Sequence, residues 1–275
     1  MKKRILISAS LFHALTDAAT IVTPTIFPIL YSQAFLIRKY SQIGLLSNLG
    51  LITTLLLQFW VVRLSFKYEY KWLMLISGLG IALANFLIPL AQSFSLLLLL
   101  YIFLRAVTSF YHPVVIAWIS RSRAGSGQEL DDAMGIQSGS GNLGALVAFI
   151  TTGYLAQHFG WKTPLYLWSL ISLVMTTAGV SIIRQVSSSQ EIKPDLSAVS
   201  WTTVLKRISH LIPGFFLAGS GWWVTITLPR LCFTTILIFP WAEPGFIWLS
   251  GLAWEQLPAL FMVCGAAVLA AKEFF

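Results

Sequence analysis

The chain has 275 residues, of which 57% are hydrophobic and only 10% are charged. A soluble domain carries about 25% charged residues, so this composition excludes a water-soluble globular domain. The net charge of +8 does not indicate nucleic-acid binding, because the basic residues lie in short segments between apolar runs. Cys232 and Cys264 lie in apolar stretches without ligand or redox spacing, so we expect no disulfide, metal or cofactor.

Apolar runs long enough to cross a bilayer, about 20 residues each, follow one another through the first two thirds of the chain. They predict spans at 5–31, 43–62, 72–90, 95–119, 134–156 and 164–183. Each run has the length of a transmembrane helix, and in lipid the backbone must satisfy its own hydrogen bonds. We therefore expect an all-α, polytopic membrane helix bundle with a six-helix N-terminal half at 1–184.

A polar segment at 185–210 separates this half from the rest of the chain and predicts a cytoplasmic linker. Beyond it, 211–239 predicts a seventh span and 246–270 a less apolar eighth one. Residues 211–275 are therefore expected to form an incomplete second half of one or two transmembrane helices.

The distribution of basic residues predicts the orientation of these spans. With the N-terminus inside, the external loops hold only Arg38, Lys39 and Lys162. The cytoplasmic segments hold Lys2, Lys3, Arg4, Arg63, Lys67, Lys71, Arg121, Arg123, Arg184, Lys193, Lys206 and Arg207. Cytoplasmic loops of membrane proteins carry the excess of Lys and Arg. We expect a multi-pass plasma-membrane protein with a cytoplasmic N-terminus.

Ionisable side chains within the apolar runs are the candidate functional residues, because such groups are costly at membrane depth. His13 and Asp17 lie one turn apart on the first span, and Arg105 and His112 share a face of the fourth. At about 1.5 Å of rise per residue, Asp17 and Arg105 both lie near the midplane and are candidates to face each other. The two histidines lie at equal depth, nearer the cytoplasm. The pattern fits a structural ion pair or a substrate and proton site.

Amide side chains within the spans are the second group of candidates. Gln58 lies on the second span, and Gln137 and Asn142 lie on the glycine-rich first half of the fifth. The glycines favour close helix packing, and Asn142 fits either a cavity wall or an interhelical hydrogen bond. No nucleotide, metal-protease or nucleophile motif occurs, so we expect no enzyme, and uphill transport would draw on an ion gradient.

Several stretches resemble one family of transporters. Phe12-His13-Ala14-Leu15-Thr16-Asp17, which continues to Pro24 and Pro28, is similar to the opening helix of the fosmidomycin-resistance-like exporters of the major facilitator superfamily. The fourth span, Arg105 through Phe110-Tyr111-His112-Pro113, resembles the arginine motif and His-Pro pair of these proteins. Residues 134–144 and 154–162 resemble their fifth span and the turn that follows. The resemblance covers Leu11–Arg184.

The resemblance implies a proton-coupled exporter of a small organic solute or drug that works by alternating access. Its partners would be the lipid bilayer, the solute and protons. Asp17 and Arg105 would couple protonation to solute binding, and His13 and His112 would lie on the inner path. The solute cavity would be lined by Gln58, Gln137 and Asn142.

Departures from the family pattern support an alternative. Val62 and Phe66 occupy the glycine and acid positions of the family's gating loop, and the tail from about Arg230 does not resemble the family. The superfamily has about twelve spans, whereas seven or eight are predicted here. The alternative is a truncated or decayed transporter, a membrane helix bundle without transport activity. An embedded enzyme would need a metal or nucleophile constellation that these spans do not supply.

Overall fold

A computed structural model describes residues 2–122 and 127–184, together with Ser209. The predicted second half at 211–275 and, apart from Ser209, the predicted linker lie outside the described residues. The described part is helical throughout apart from short turns and contains no strand, as the apolar runs predict. Its helices are α1 Lys2–Ser32, α2 Tyr40–Lys67, α3 Tyr70–Leu87 followed by a 3-10 turn at Ile88–Leu90, α4 Phe94–Thr108, α5 Tyr111–Ser122, α6 Gly127–Phe159 and α7 Lys162–Ile183.

Five stretches of the described residues are long and apolar enough to cross a membrane. They are Lys2–Ser32, Tyr40–Ser65, Tyr70–Leu90, Phe94–Ser122 and Lys162–Ile183. The fifth predicted span, which falls within α6, has the length but not the apolarity, because glycines and polar residues fill its first half. The protein is a multi-pass membrane helix bundle.

The fourth predicted span falls within Phe94–Ser122, which is long and apolar enough to cross a membrane, but it is not one continuous helix. The chain leaves the helical path at 109–110, between α4 and α5. Pro113 has no N–H to donate to the carbonyl of Ser109, and the Ser109 hydroxyl donates to the carbonyl of Ala106 at 2.6 Å. The break places His112 in the first turn of α5.

The largest helix contact of the bundle joins α1 and α6, and these two helices begin on the same side. Lys2 Nζ lies 2.8 Å from Glu129 Oε2, so the first turns of both helices meet. Small residues and one amide form the buried face of α6: Ala133, Gln137, Gly141, Gly144, Ala148, Thr152 and Ala156. Their spacing of three or four residues puts them on one side of the helix, where small side chains let two backbones approach closely.

Buried hydroxyl groups join two other pairs of helices. Ser8 of α1 donates to the carbonyl of Gly179 in α7 at 2.9 Å. Ser77 of α3 donates to the carbonyl of Val107 in α4 at 2.8 Å. Such bonds contribute on average about 0.6 kcal/mol each in a membrane bundle, so the packing of small residues carries most of the association.

Candidate functional site

A carboxylate between two imidazoles forms the centre of the candidate site. His13 Nε2 lies 3.3 Å from Asp17 Oδ2, one helical turn away on α1. His112 Nε2, from the first turn of α5, lies 3.7 Å from Asp17 Oδ1. The side chain of Asp17 is 25% exposed, that of His13 9% and that of His112 40%. We call these three residues the Asp17 cluster.

The ring of His13 is held by α6 on the side away from Asp17. Its Nδ1 atom lies 2.7 Å from the backbone carbonyl oxygen of Gln137. A carbonyl only accepts hydrogen bonds, so Nδ1 carries a proton and Nε2 faces the carboxylate. A neutral Nε2 and an ionised carboxylate would then oppose two lone pairs at 3.3 Å. The contact is favourable only when a proton lies on one of the two groups.

Tyr111 connects the cluster to three helices. Its ring stacks on His13 with centroids 4.8 Å apart, and its hydroxyl donates to the carbonyl of Ala9 at 2.8 Å. The same hydroxyl accepts from Nε2 of Gln137 at 2.8 Å. The sequence motifs assign Tyr111 no role, although its position beside His112 is the signal that could have identified it.

Gly141 brings the backbone of α6 against the cluster. A Cβ at this position would lie 2.6 Å from Asp17 Oδ2 and 2.7 Å from His13 Nε2. Only glycine therefore fits without displacing one of these side chains. The predicted role of the α6 glycines in close packing is confirmed at this position.

Arg105 forms no ion pair with Asp17 within the described residues, so the structural ion pair that their predicted depths allow is absent. Its Nε donates to the carbonyl of Gly50 in α2 at 3.4 Å. Gly50 leaves room for this contact, because a Cβ there would lie 3.0 Å from Cγ of Arg105. Within the described residues, the basic side chains within 4.0 Å of the Asp17 carboxylate are the two histidines.

The three predicted amide residues occupy different environments. Gln137 is 3% exposed. Its backbone carbonyl binds His13, and its side-chain amide binds Tyr111. Gln58 is half-buried on α2, and Asn142 is exposed on α6. Within the described residues no hydrogen bond joins either of them to the Asp17 cluster. Of the seven predicted residues, the structure brings together His13, Asp17, His112 and Gln137.

The Asp17 cluster also has the ligand types of a metal site. One donor atom from each of its three side chains lies within 4.8 Å of the other two. Imidazole nitrogen and carboxylate oxygen are both ligands of divalent transition metals. The sequence predicts no such site, because His112 is distant in the chain and no ligand motif links it to His13.

A comparison with protein-family models supports the resemblance at the level of the superfamily. The family described as Major Facilitator Superfamily matches residues 8–272. The match extends beyond Leu11–Arg184 and through the tail after Arg230, which the motifs place outside the resemblance. That expectation for the tail is wrong. A comparison with curated proteins finds no match.

Proposed function

Because this chain belongs to the major facilitator superfamily, we propose that it is a membrane transporter that exports a small organic solute in exchange for protons. The transport cycle would be alternating access, in which helix bundles rock around a site near the middle of the membrane. The fosmidomycin-resistance-like exporters are the proposed subfamily. The proposed location is the plasma membrane, with a cytoplasmic N-terminus.

The arrangement of the Asp17 cluster is the single observation that carries the proton-coupling proposal. The Nδ1 proton of His13 is donated to the backbone carbonyl of Gln137. The contact between Nε2 and Asp17 is therefore favourable only when a second proton lies on Nε2 or on the carboxylate. His112 offers a second acceptor 3.7 Å from the same carboxylate. Asp17 can therefore exchange a proton with groups on α1 and on α5. Ionisable side chains at this depth mark proton relays in transporters.

Arg105 is proposed to act on the solute side of the coupling. Its Nε is bound to the carbonyl of Gly50, and no carboxylate within the described residues pairs with its guanidinium. A guanidinium has five N–H donors, so most of them remain for a solute. This role replaces the direct pairing with Asp17 that depth alone suggested.

The amide residues divide into two proposed roles. Gln137 is a positioning residue, because its backbone carbonyl binds His13 and its side-chain amide binds the hydroxyl of Tyr111. Gln58 and Asn142 keep the proposed cavity role, because both side chains are at least partly open and both carry donors and acceptors. Lipid-facing amides would leave these groups without partners in hydrocarbon.

Asp17→Asn tests the proton-coupling role directly. The amide keeps the size of the carboxylate but cannot carry the exchanged proton. Inverted membrane vesicles with an imposed proton gradient would take up fosmidomycin as the probe solute, and a pH-sensitive dye would follow the proton flux. We expect wild-type vesicles to accumulate the probe and Asp17→Asn vesicles to show neither uptake nor solute-dependent proton movement.

Asp132→Asn is the matched control, because Asp132 is an exposed carboxylate in the first turns of α6. Its uptake should equal that of the wild type, with both variants present at equal levels of folded protein. Unchanged uptake in Asp17→Asn would overturn the role of Asp17. Folded wild-type protein without gradient-driven uptake of fosmidomycin or of other small organic solutes would instead favour a helix bundle without transport activity.

A further inference from the structure

The contacts of His13 and His112 with Asp17 are close to the ligand spacing of a tetrahedral metal ion. Zinc binds nitrogen and oxygen ligands at about 2.0–2.2 Å in tetrahedral geometry, which places two ligand atoms roughly 3.3–3.5 Å apart. Nε2 of His13 lies 3.3 Å from Oδ2 of Asp17, and Nε2 of His112 lies 3.7 Å from Oδ1. The donor atoms of the three side chains lie within 4.8 Å of one another, so the His112 side chain, which is 40% exposed, would rotate toward His13 to complete the ligand set.

From this geometry we infer that the Asp17 cluster binds a divalent transition-metal ion, with Zn²⁺ as the reference ion. The ligands are Nε2 of His13, Nε2 of His112 and a carboxylate oxygen of Asp17. Three protein ligands leave a fourth tetrahedral position open, as in zinc sites that exchange a bound water or anion.

The hydrogen bond of His13 is an independent observation that favours a metal ligand. A histidine that binds a metal through one ring nitrogen usually donates its other N–H to a carboxylate, a backbone carbonyl or water. His13 Nδ1 already lies 2.7 Å from the carbonyl oxygen of Gln137. This contact presents the lone pair of Nε2 toward Asp17 and His112 and fixes the orientation of the ring.

The ligand types select among ions. Two imidazoles with one carboxylate suit Zn²⁺, Cu²⁺, Ni²⁺ and Fe²⁺, whereas Mg²⁺ and Ca²⁺ prefer oxygen ligands. The charge of a divalent ion exceeds that of the single carboxylate, so an anion in the open position would complete the site. Gly141 keeps the space beside both His13 and Asp17 clear.

Metal binding is measured on the purified full chain, with any affinity tag removed, in lipid nanodiscs. Calorimetric titration with ZnCl₂ gives affinity and stoichiometry, and Co²⁺ gives a visible ligand-field spectrum that reports four-coordinate geometry. We expect one ion per chain, a four-coordinate Co²⁺ spectrum, and no heat from MgCl₂. His13→Gln, Asp17→Asn and His112→Gln should each weaken Zn²⁺ binding about 10–100-fold, at least the loss caused by removing a group that only orients a ligand.

His158→Gln is the control, because His158 is exposed at the end of α6, away from the cluster. It should bind Zn²⁺ as the wild type does. Absence of Zn²⁺ binding by the wild type, a six-coordinate Co²⁺ spectrum, or an equal loss of affinity in His158→Gln would each overturn the inference. If a cluster variant does not fold, the Co²⁺ spectrum of the wild type remains as the test. A four-coordinate spectrum supports the metal site, and a six-coordinate spectrum contradicts it.

The metal inference and the proposed transport function fail separately. Binding needs no gradient and no solute, so Zn²⁺ affinity without transport would contradict only the proposed function. Transport by a chain that binds no Zn²⁺ would contradict only the metal site.

Discussion

A Cβ at Gly141 would lie 2.6 Å from Oδ2 of Asp17, so α6 and α1 meet at this carboxylate without a side chain between them. The position of Asp17 therefore depends on the backbone of a neighbouring helix as well as on its own helix. His13 has the same dependence through its hydrogen bond to the carbonyl of Gln137. The contact between α1 and α6 therefore packs the two helices together and also positions Asp17 and His13.

Replacing Gly141 with alanine tests this dependence. The added methyl group would displace Asp17 or His13, because it would lie 2.6 Å and 2.7 Å from their polar atoms. A misplacement of this order can cost roughly tenfold to a hundredfold in a rate that depends on alignment. We expect Gly141→Ala to lower the initial rate of proton-driven uptake into inverted vesicles by about tenfold or more.

Gly139→Ala is the control on the same helix, because a Cβ at Gly139 would meet nothing within 4 Å. Its uptake rate should match that of the wild type at equal protein levels. If both alanine variants transport equally well, Gly141 does not shape the site.

Tyr111→Phe removes one hydroxyl that joins α1, α5 and α6. The Ala9 carbonyl and the Gln137 amide both lose a partner in a buried environment. An orphaned buried polar group costs about 1–3 kcal/mol, while the stacking on His13 is kept. We expect a lower Tm for Tyr111→Phe when thermal unfolding is followed by circular dichroism in one detergent.

Tyr154→Phe provides the comparison, because Tyr154 is 58% exposed on α6. Its Tm should remain that of the wild type. A Tm for Tyr111→Phe that also equals the wild-type value would show that the bridging hydroxyl contributes nothing to stability.

Much of the bundle follows from sequence, because the membrane imposes simple constraints on length and apolarity. The predicted span at 164–183 differs from α7, Lys162–Ile183, by only two residues at its start. Helical spacing predicts that His13 and Asp17 share one face of α1, and the sequence predicts the same depth for His13 and His112. In the structure the rings of these two histidines are neighbours, with centroids 5.2 Å apart.

Other features of the site depend on how each helix is rotated toward its neighbours, which depth and periodicity leave undetermined. Arg105 is predicted at the depth of Asp17, but its side chain contacts Gly50 of α2, where a glycine leaves space for it. Tyr111 is one aromatic residue among many in an apolar run. Its position beside His112 is a sequence signal, but its contacts with α1 and α6 appear only in the structure.

Gly144 sets the distance between α1 and α6 one turn beyond the site. A Cβ at this position would lie 2.5 Å from Cα of Ala14 and still nearer its carbonyl oxygen. These are backbone atoms, so no side-chain rotation can relieve the overlap and the two helices must separate. We expect Gly144→Ala to destabilise the folded protein by about 1–3 kcal/mol. The measurement is a lower Tm and a smaller free energy of unfolding in denaturant.

Gly135→Ala is the control, because a Cβ at Gly135 would meet nothing within 4 Å. It should leave the Tm unchanged or raise it, since glycine costs up to about 1 kcal/mol in a helix interior. Equal Tm values for the two variants would show that α1 and α6 do not depend on this close approach.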